Sequence, residues 1–390
     1  MPNLIRDISL SAIVAGFVAV VIAYASSAVI IFQAAQVAGL STTLTASWIA
    51  SASFACGLLS LWLSYRLKMP IITAWSTPGA ALLVTALPLY SFEHAIGAYI
   101  IAAVLVMVFG FTGWFSKMMA KIPMTVISAM LAGILLQFCL QAFLQIQLNP
   151  ILALSMCVAY FISKVMLPRY SIVLTLVLGG IIVVLQQQIQ MTYLSWSITQ
   201  VDMTMPAWSL GAIVGLALPL FVVAMTSQNA SGLAVMKTSG YAAPESKLIG
   251  ATGVMSLLSA PFGCHGVSLS SITAAICTSP DCHPDVQKRY IAGLSCGVCY
   301  IIFAICAQSM VQLFAIVPKS LIILIAGLAL FSACASSLKM ALSEAKDLDS
   351  AMLTFLVTAS GFSAFGIGSA FWGLSAGLLF YMFMKQQKLA

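Results

Sequence analysis

Charge is what this chain has least of. Only 6% of its 390 residues are Asp, Glu, Lys or Arg, while 62% are hydrophobic; a soluble domain carries roughly 25% charged residues. No stretch is left over for a water-soluble domain. The nine acidic residues, Asp7, Glu93, Asp202, Glu245, Asp281, Asp285, Glu344, Asp347 and Asp349, sit in or beside the gaps between apolar runs, so no carboxylate relay is placed at the centre of a span. A phosphate-cradling glycine loop, a nucleophile elbow and a zinc-protease motif are all missing. That removes ATP-driven work and hydrolysis, and the chain is expected to be no enzyme and to need no cofactor. The ten cysteines lie mostly inside apolar runs, without the spacing of a disulfide framework. Cys264-His265 and Cys282-His283 put ligand types side by side rather than a few residues apart, and the predicted topology separates the two pairs, so no metal site is expected.

What is present is an all-α polytopic membrane protein. At about 20 residues per helical crossing, spans fall at approximately 8–33, 43–65, 71–88, 94–115, 122–147, 150–166, 170–188, 209–236, 245–262, 265–279, 289–315, 318–340, 349–366 and 368–384. The first is too long for a signal-peptide core. These are fourteen segments, two sets of seven. With both termini cytoplasmic, fifteen of the sixteen basic residues lie inside and only Lys319 outside, as the positive-inside rule requires. The net charge of +7 is thus accounted for by orientation rather than by nucleic acid.

One span is interrupted. In Met69-Pro70-Ile71-Ile72-Thr73-Ala74-Trp75-Ser76-Thr77-Pro78-Gly79-Ala80-Ala81-Leu82-Leu83 the two prolines lack an N–H, Thr77 is pushed extended by the proline after it, and Ser76 or Thr77 can cap a helix starting at Pro78. An extended entry followed by a half-helix is predicted. Such a break is tolerated in hydrocarbon only when buried in protein or lining a cavity. A shift of 194 positions lays Trp75–Leu82 over Leu269–Ile276, and Ala132-Gly133 over Ala326-Gly327. A shift of 200 lays Ser26-Ser27 over Thr226-Ser227. The chain is therefore read as an internal duplication. An odd number of spans per copy inverts the second copy, so spans three and ten bring two half-helix starts together near the bilayer centre, which favours an anion.

The polar groups at depth are the candidate site. Gln228 and Asn229 are adjacent amides in an apolar run, either facing a ligand or gluing helices. Ser76 and Thr77 cap the helix start, with or without ligand contact. Trp75 precedes the break and either packs or offers its ring to an aromatic ligand. His265 is either a proton carrier or a structural histidine bonded to a backbone carbonyl.

The stretch Ile72-Thr73-Ala74-Trp75-Ser76-Thr77-Pro78-Gly79-Ala80 resembles the third-span motif of the bacterial benzoate membrane transporters, the BenE family of benzoate/proton symporters. The resemblance runs over essentially the whole chain, including Thr226-Ser227-Gln228-Asn229 and Gly263-Cys264-His265-Gly266-Val267-Ser268. Wider relatives are the nucleobase/ascorbate and sulfate/bicarbonate transporters. It implies a 7+7 inverted repeat with half-helices in spans three and ten. It further implies a core of residues 1–120 and 209–316, a gate of residues 121–190 and 317–390 that often dimerises, and an external linker at 191–208. Where nucleobase relatives carry acids on spans eight and ten, this chain has Gln228 and Leu269 or Ser270, which argues for an anion instead. The resemblance implies inward transport of benzoate or a similar small aromatic carboxylate with a proton across the inner membrane, by an elevator-like or rocking motion. Trp75, Ser76, Thr77, Pro78, Gly79, Gln228, Asn229, Ser268, Ser270 and Ser271 would bind the substrate. The proton would ride on His265 or on the substrate itself. A carrier of another anion or a nucleobase, or an anion channel, is the alternative.

Overall fold

The computed structural model describes residues 4–114, 123–188, 197–364 and 367–387. Of the sequence expectations, Lys117, Lys121, Lys388, linker residues 191–196 and the span residues 115, 122, 365 and 366 lie outside the described residues.

Helices form along the apolar runs, and the small polar residues between the runs start them. Ser9 accepts from Ala12 N–H at 3.2 Å to open α1 (Leu10–Ala23), which continues through a π turn at Tyr24–Ala28 into α2 (Val29–Val37). Ser41 caps α3 (Thr42–Leu67), which stops at Lys68 in the left-handed region (φ 53°), and Pro70 forbids a restart there. The chain then runs through β1 (Thr73–Trp75), α4 (Thr77–Ala86) and α5 (Phe92–Phe111). Next come α6 (Met124–Leu148), α7 (Pro150–Met166) and α8 (Ser171–Leu185). Asn149 caps α7 with Pro150 at its first position, where a missing N–H costs nothing.

The second half opens with α9 (Leu210–Lys237), which carries π turns at Ile213–Ala217 and Ala224–Asn229. It is followed by α10 (Glu245–Ser259), β2 (Val267–Leu269) and α11 (Ile272–Thr278). The chain closes with α12 (Tyr290–Ile305), α13 (Ala307–Ile316), α14 (Lys319–Ala341), α15 (Leu348–Ala359) and α16 (Ser369–Gln387). Among the described residues six helices are long and apolar enough to cross a membrane unaided, Leu210–Lys237 and Lys319–Ala341 among them.

Three predicted spans differ in detail. The first reaches Val37 rather than ending at 33. The span placed at 289–315 is two helices, α12 and α13, because linker residue Thr199 inserts into the ladder: its N–H and hydroxyl both donate to Ile305 O (3.1 and 2.8 Å), and its Oγ accepts from Gln308 N–H at 2.9 Å. The span placed at 349–366 ends at Ala359, where Gly361 turns the chain with φ +68°.

Between the helices lies one short antiparallel ladder, Thr73 opposite Leu269, Ala74 opposite Ser268 and Trp75 opposite Val267. The central pair, Ala74 and Ser268, is 194 residues apart, the same offset that aligns the two halves of the sequence, so the ladder is centred on equivalent residues. The π turns at Tyr24–Ala28 and Ala224–Asn229 also fall at matching places. Around the ladder α3 packs on α12, α5 on α10 and α6 on α14. Small residues permit these approaches. A Cβ added to Gly57 of α3 would lie 2.7 Å from Gly297 O and 2.9 Å from Ile301 Cγ1 of α12, whereas one added to Gly180 of α8 meets nothing within 4 Å. Gly57→Val is therefore expected to cost about 1–3 kcal/mol by overpacking. Thermal unfolding in detergent should show it melting several degrees below the parent while Gly180→Ala melts with it; equal melting of all three would refute this packing.

Candidate functional site

Extended backbone inside an apolar protein has two edges to satisfy as well as the ladder between them, and each edge is met by side chains of neighbouring helices. On the β1 side, Thr73 N–H donates to Ser60 Oγ at 2.9 Å and Ile71 N–H to Ser64 Oγ at 3.1 Å, both from α3. On the β2 side, Val267 N–H donates to Ser256 Oγ of α10 at 2.7 Å, and Leu269 N–H to Asn229 Oδ1 of α9 at 2.9 Å.

The ladder delivers its two strands into two helix starts. At α4, Ser76 Oγ accepts from Gly79 N–H at 3.0 Å and Pro78 has no N–H, so the remaining first-turn amide is that of Thr77. The Thr77 hydroxyl hydrogen-bonds that of Ser27, in the π turn after α1, at 2.6 Å. At α11 no side chain caps the first turn, and the Thr273 hydroxyl donates to Ser270 Oγ. The far end of α11 is held by the buried Arg289, whose Nη1 donates to Thr278 O at 2.6 Å and whose Nε donates to His283 O at 2.7 Å. A cation there complements the carbonyl end of the helix.

A cavity of about 360 Å³ opens where the two starts meet. One wall carries Ser27, Ala74, Trp75, Thr77, Pro78, Gln228, Ser270, Ser271 and Thr273; the other carries Tyr160, Ser171, Ile172, Leu330 and Ser332. Tyr160 OH and Ser332 Oγ are 3.2 Å apart. Among the described residues that line it, none is charged. The cavity is of a size to hold a small ligand.

The structure divides the residues proposed from sequence into two groups. Trp75, Thr77, Pro78, Gln228, Ser270 and Ser271 line the cavity. Ser76, Gly79, Asn229, Ser268 and His265 stand behind it and hold the walls. Ser76 caps α4, and Gly79 sits so close that a Cβ would lie 2.9 Å from Ser76 Oγ. Asn229, fully buried, spends its carbonyl on Leu269 N–H, and Ser268 Oγ donates to Ala74 O at 3.3 Å. Trp75 borders the cavity, but its ring is enclosed edge-on by Tyr24 and Tyr300, with centroids at 5.1 and 5.6 Å.

His265 differs most from its proton-carrying expectation. Its Nδ1 accepts from the indole N–H of Trp48 at 3.0 Å, and an indole N–H can only donate. Nε2 therefore carries the hydrogen and donates to Ser76 O, also at 3.0 Å. So held, the ring has no nitrogen left to take a proton; it braces the loop after α10 against the cap of α4. Gly263, at φ +100° beside Trp48, makes the turn that a side chain would resist.

Sequence reasoning missed Tyr160, Ser171 and Ser332, which come from helices with no local irregularity. Ser27 carried a signal, since it aligns with Ser227 in the duplication.

Half-helices that start from a shared ladder beside a cavity recur in membrane transporters with interrupted spans, and solved structures share the fold. The structure is similar to the transmembrane domain of a cyanobacterium bicarbonate transporter, BicA (TM-score 0.61, 15% identity, covering 95% of this chain and 98% of that one). It is also similar to the murine Solute Carrier 26 family member A9 anion transporter in the inward-facing state (TM-score 0.63, 14% identity, 98% and 69% coverage). In sequence the chain matches the family model described as Benzoate membrane transport protein (BenE) over residues 6–383, and it belongs to that family. It is 42% identical to the inner membrane protein YdcO of Escherichia coli (strain K12), over 96% of this chain and 95% of that protein. It is 40% identical to the benzoate membrane transport protein of Acinetobacter baylyi (strain ATCC 33305 / BD413 / ADP1), over 100% and 98%.

The two adjacent amides are thus expected to part company on substitution. Asn229→Ala strands Leu269 N–H in the interior and should cost about 1–3 kcal/mol, read as a lowered melting temperature, while Gln228→Ala should melt with the parent. A stable Asn229→Ala protein would contradict the role given to that side chain.

Proposed function

We propose that the protein imports benzoate or a similar small aromatic carboxylate across the inner membrane together with a proton. The observation that carries this reading is the neutrality of the cavity: its polar groups are hydroxyls, one glutamine amide and two helix starts, with no charged residue among the described lining. An ionised carboxylate left there without a counter-charge is expensive. The protonated acid avoids that cost. With His265 committed on both nitrogens, the proton travels on the substrate. Thr77, Ser270, Ser271 and Gln228 take the carboxyl group, and the ring lies toward Ile172, Leu330 and Tyr160. The benzoate transporter name of the Acinetobacter baylyi relative supports the substrate class.

The architecture we infer is fourteen segments in a 7+7 inverted repeat. Residues 1–120 and 209–316 form the core, residues 121–190 and 317–390 form the gate, and 191–208 form the external linker. The cavity fits this division, because one wall comes wholly from the core and the other from α7, α8 and α14 of the gate. With both termini cytoplasmic, the cavity reaches the exposed Pro168 on the basic, inner side, so the state described is open inward. Movement of the core past the gate carries the site outward, and two copies pair through their gates.

Labelled benzoate should accumulate in cells or proteoliposomes, collapse with a protonophore, and be competed by benzoate but not by uracil or sulfate. Benzoate at a hundredfold excess over Kd should stabilise the purified protein by about 2.7 kcal/mol, and Gln228→Ala should abolish both effects. Uptake indifferent to a protonophore would point instead to an anion channel.

A further inference from the structure

The gate wall of the central cavity carries a pair of hydroxyls, on the side opposite those assigned to the carboxyl group. Tyr160 of α7 and Ser332 of α14 both line the cavity, with their side-chain oxygens 3.2 Å apart. Hydroxyls inside several other helices return to the carbonyl one turn back, as Ser163 does to Ala159, Thr175 to Ser171 and Thr354 to Ser350, which is how a helix in apolar surroundings occupies an O–H. Ser332 does not. It is exposed, and its hydroxyl is turned across to Tyr160. The Tyr160 ring is held in place in turn, with the Phe331 ring centroid 6.3 Å from its own and Lys164 Nζ 5.4 Å from it. Each hydroxyl brings one donor and two lone pairs. Their mutual bond uses one donor and one acceptor, and among the described residues neither oxygen makes another, so an O–H and several lone pairs remain for whatever fills the cavity.

An unsubstituted benzoic acid meets this wall poorly. With its carboxyl group at the half-helix starts, its ring lies against the pair and takes the remaining O–H away from water without offering a partner, a loss that a hydrogen-bonding group on the ring would make good. The ring position that points straight away from a carboxyl group is the para position. We propose that the site recognises benzoic acids with a para hydroxyl group, which bonds Ser332 and Tyr160 while the carboxyl group meets Thr77, Ser270, Ser271 and Gln228. The inference rests on the aromatic-acid reading above and adds the substituent to it. A phenol O–H both donates and accepts, so it closes a ring of hydroxyls with the pair; a methyl group of similar size cannot. The cavity, of about 360 Å³, has the room, since pockets of about 300–1,000 Å³ hold drug-sized ligands.

The test is a set of dissociation constants for the purified full chain, read from the melting shift against ligand concentration. para-Hydroxybenzoate is expected to bind about fivefold tighter than para-methylbenzoate, the net worth of one hydrogen bond. In the variant carrying both Tyr160→Phe and Ser332→Ala that preference should vanish or reverse, because the ring hydroxyl is then buried against apolar groups. The ratio between ortho-hydroxybenzoate and ortho-methylbenzoate, whose substituents sit beside the carboxyl group, should be the same in variant and parent. Equal binding of the two para acids by the parent overturns the proposal, as does a variant that keeps the para preference. Para and ortho ratios that move together would show a general change of pocket shape and overturn it too. A second measurement needs no variant: labelled para-hydroxybenzoate should accumulate in proteoliposomes, and unlabelled it should compete with benzoate uptake several-fold better than para-methylbenzoate does; equal competition overturns the proposal. If benzoate itself is neither moved nor stabilising, the aromatic-acid reading falls and this inference with it. If benzoate passes and the two para acids bind alike, this inference falls alone.

Discussion

The interaction on which the rest depends is the pairing of two three-residue strands, Thr73–Trp75 and Val267–Leu269, inside an apolar protein. In hydrocarbon each unmet backbone amide or carbonyl costs several kcal/mol, so extended chain survives there only if both edges are satisfied. Here each strand satisfies the other, and Ser60, Ser64, Ser256 and Asn229 satisfy the outer edges. Because the strands pair antiparallel about Ala74 and Ser268, their helices leave in opposite directions and both begin at the centre.

The site follows from that geometry more than from any single reactive group. Ser76 closes the first turn of α4, His265 ties the carbonyl of Ser76 to Trp48, and Arg289 anchors the far end of α11. The polar groups that face the cavity among the described residues are then a small set of hydroxyls and the amide of Gln228. Such groups orient a carboxyl without fixing its charge. A carrier must release its load as readily as it takes it up, and a lysine or arginine in the same place would hold an anion too long. The proposed proton on the substrate and the uncharged walls are two sides of one arrangement.

The break in the third span was legible because Pro70, Thr77-Pro78 and Gly79 contradict a continuous helix whatever surrounds them. Its partner was legible only through the offset of 194, since Leu269-Ser270-Ser271-Ile272 contains no proline. The ladder itself was not read: three residues are too few for a period-two pattern. Gln228 and Asn229 look alike in sequence, and only the fold shows that one faces the cavity and the other completes a sheet edge. Tyr160 and Ser332 reach the site from α7 and α14, and no local signal connects residues so far apart. The split of the eleventh span depends on Thr199, a linker residue more than a hundred positions away, and tertiary contacts of that kind leave no trace in the helix they interrupt.

The most direct measurement is the location of bound para-bromobenzoate by the anomalous signal of its bromine in crystals of the full chain. The account predicts one peak in the central cavity, on the side of Tyr160 and Leu330, with the carboxyl group toward Thr77 and Ser270. A peak in the apolar recess that Phe54 and Leu58 of α3 form with Met255 and Leu258 of α10, with the central cavity empty, would contradict it.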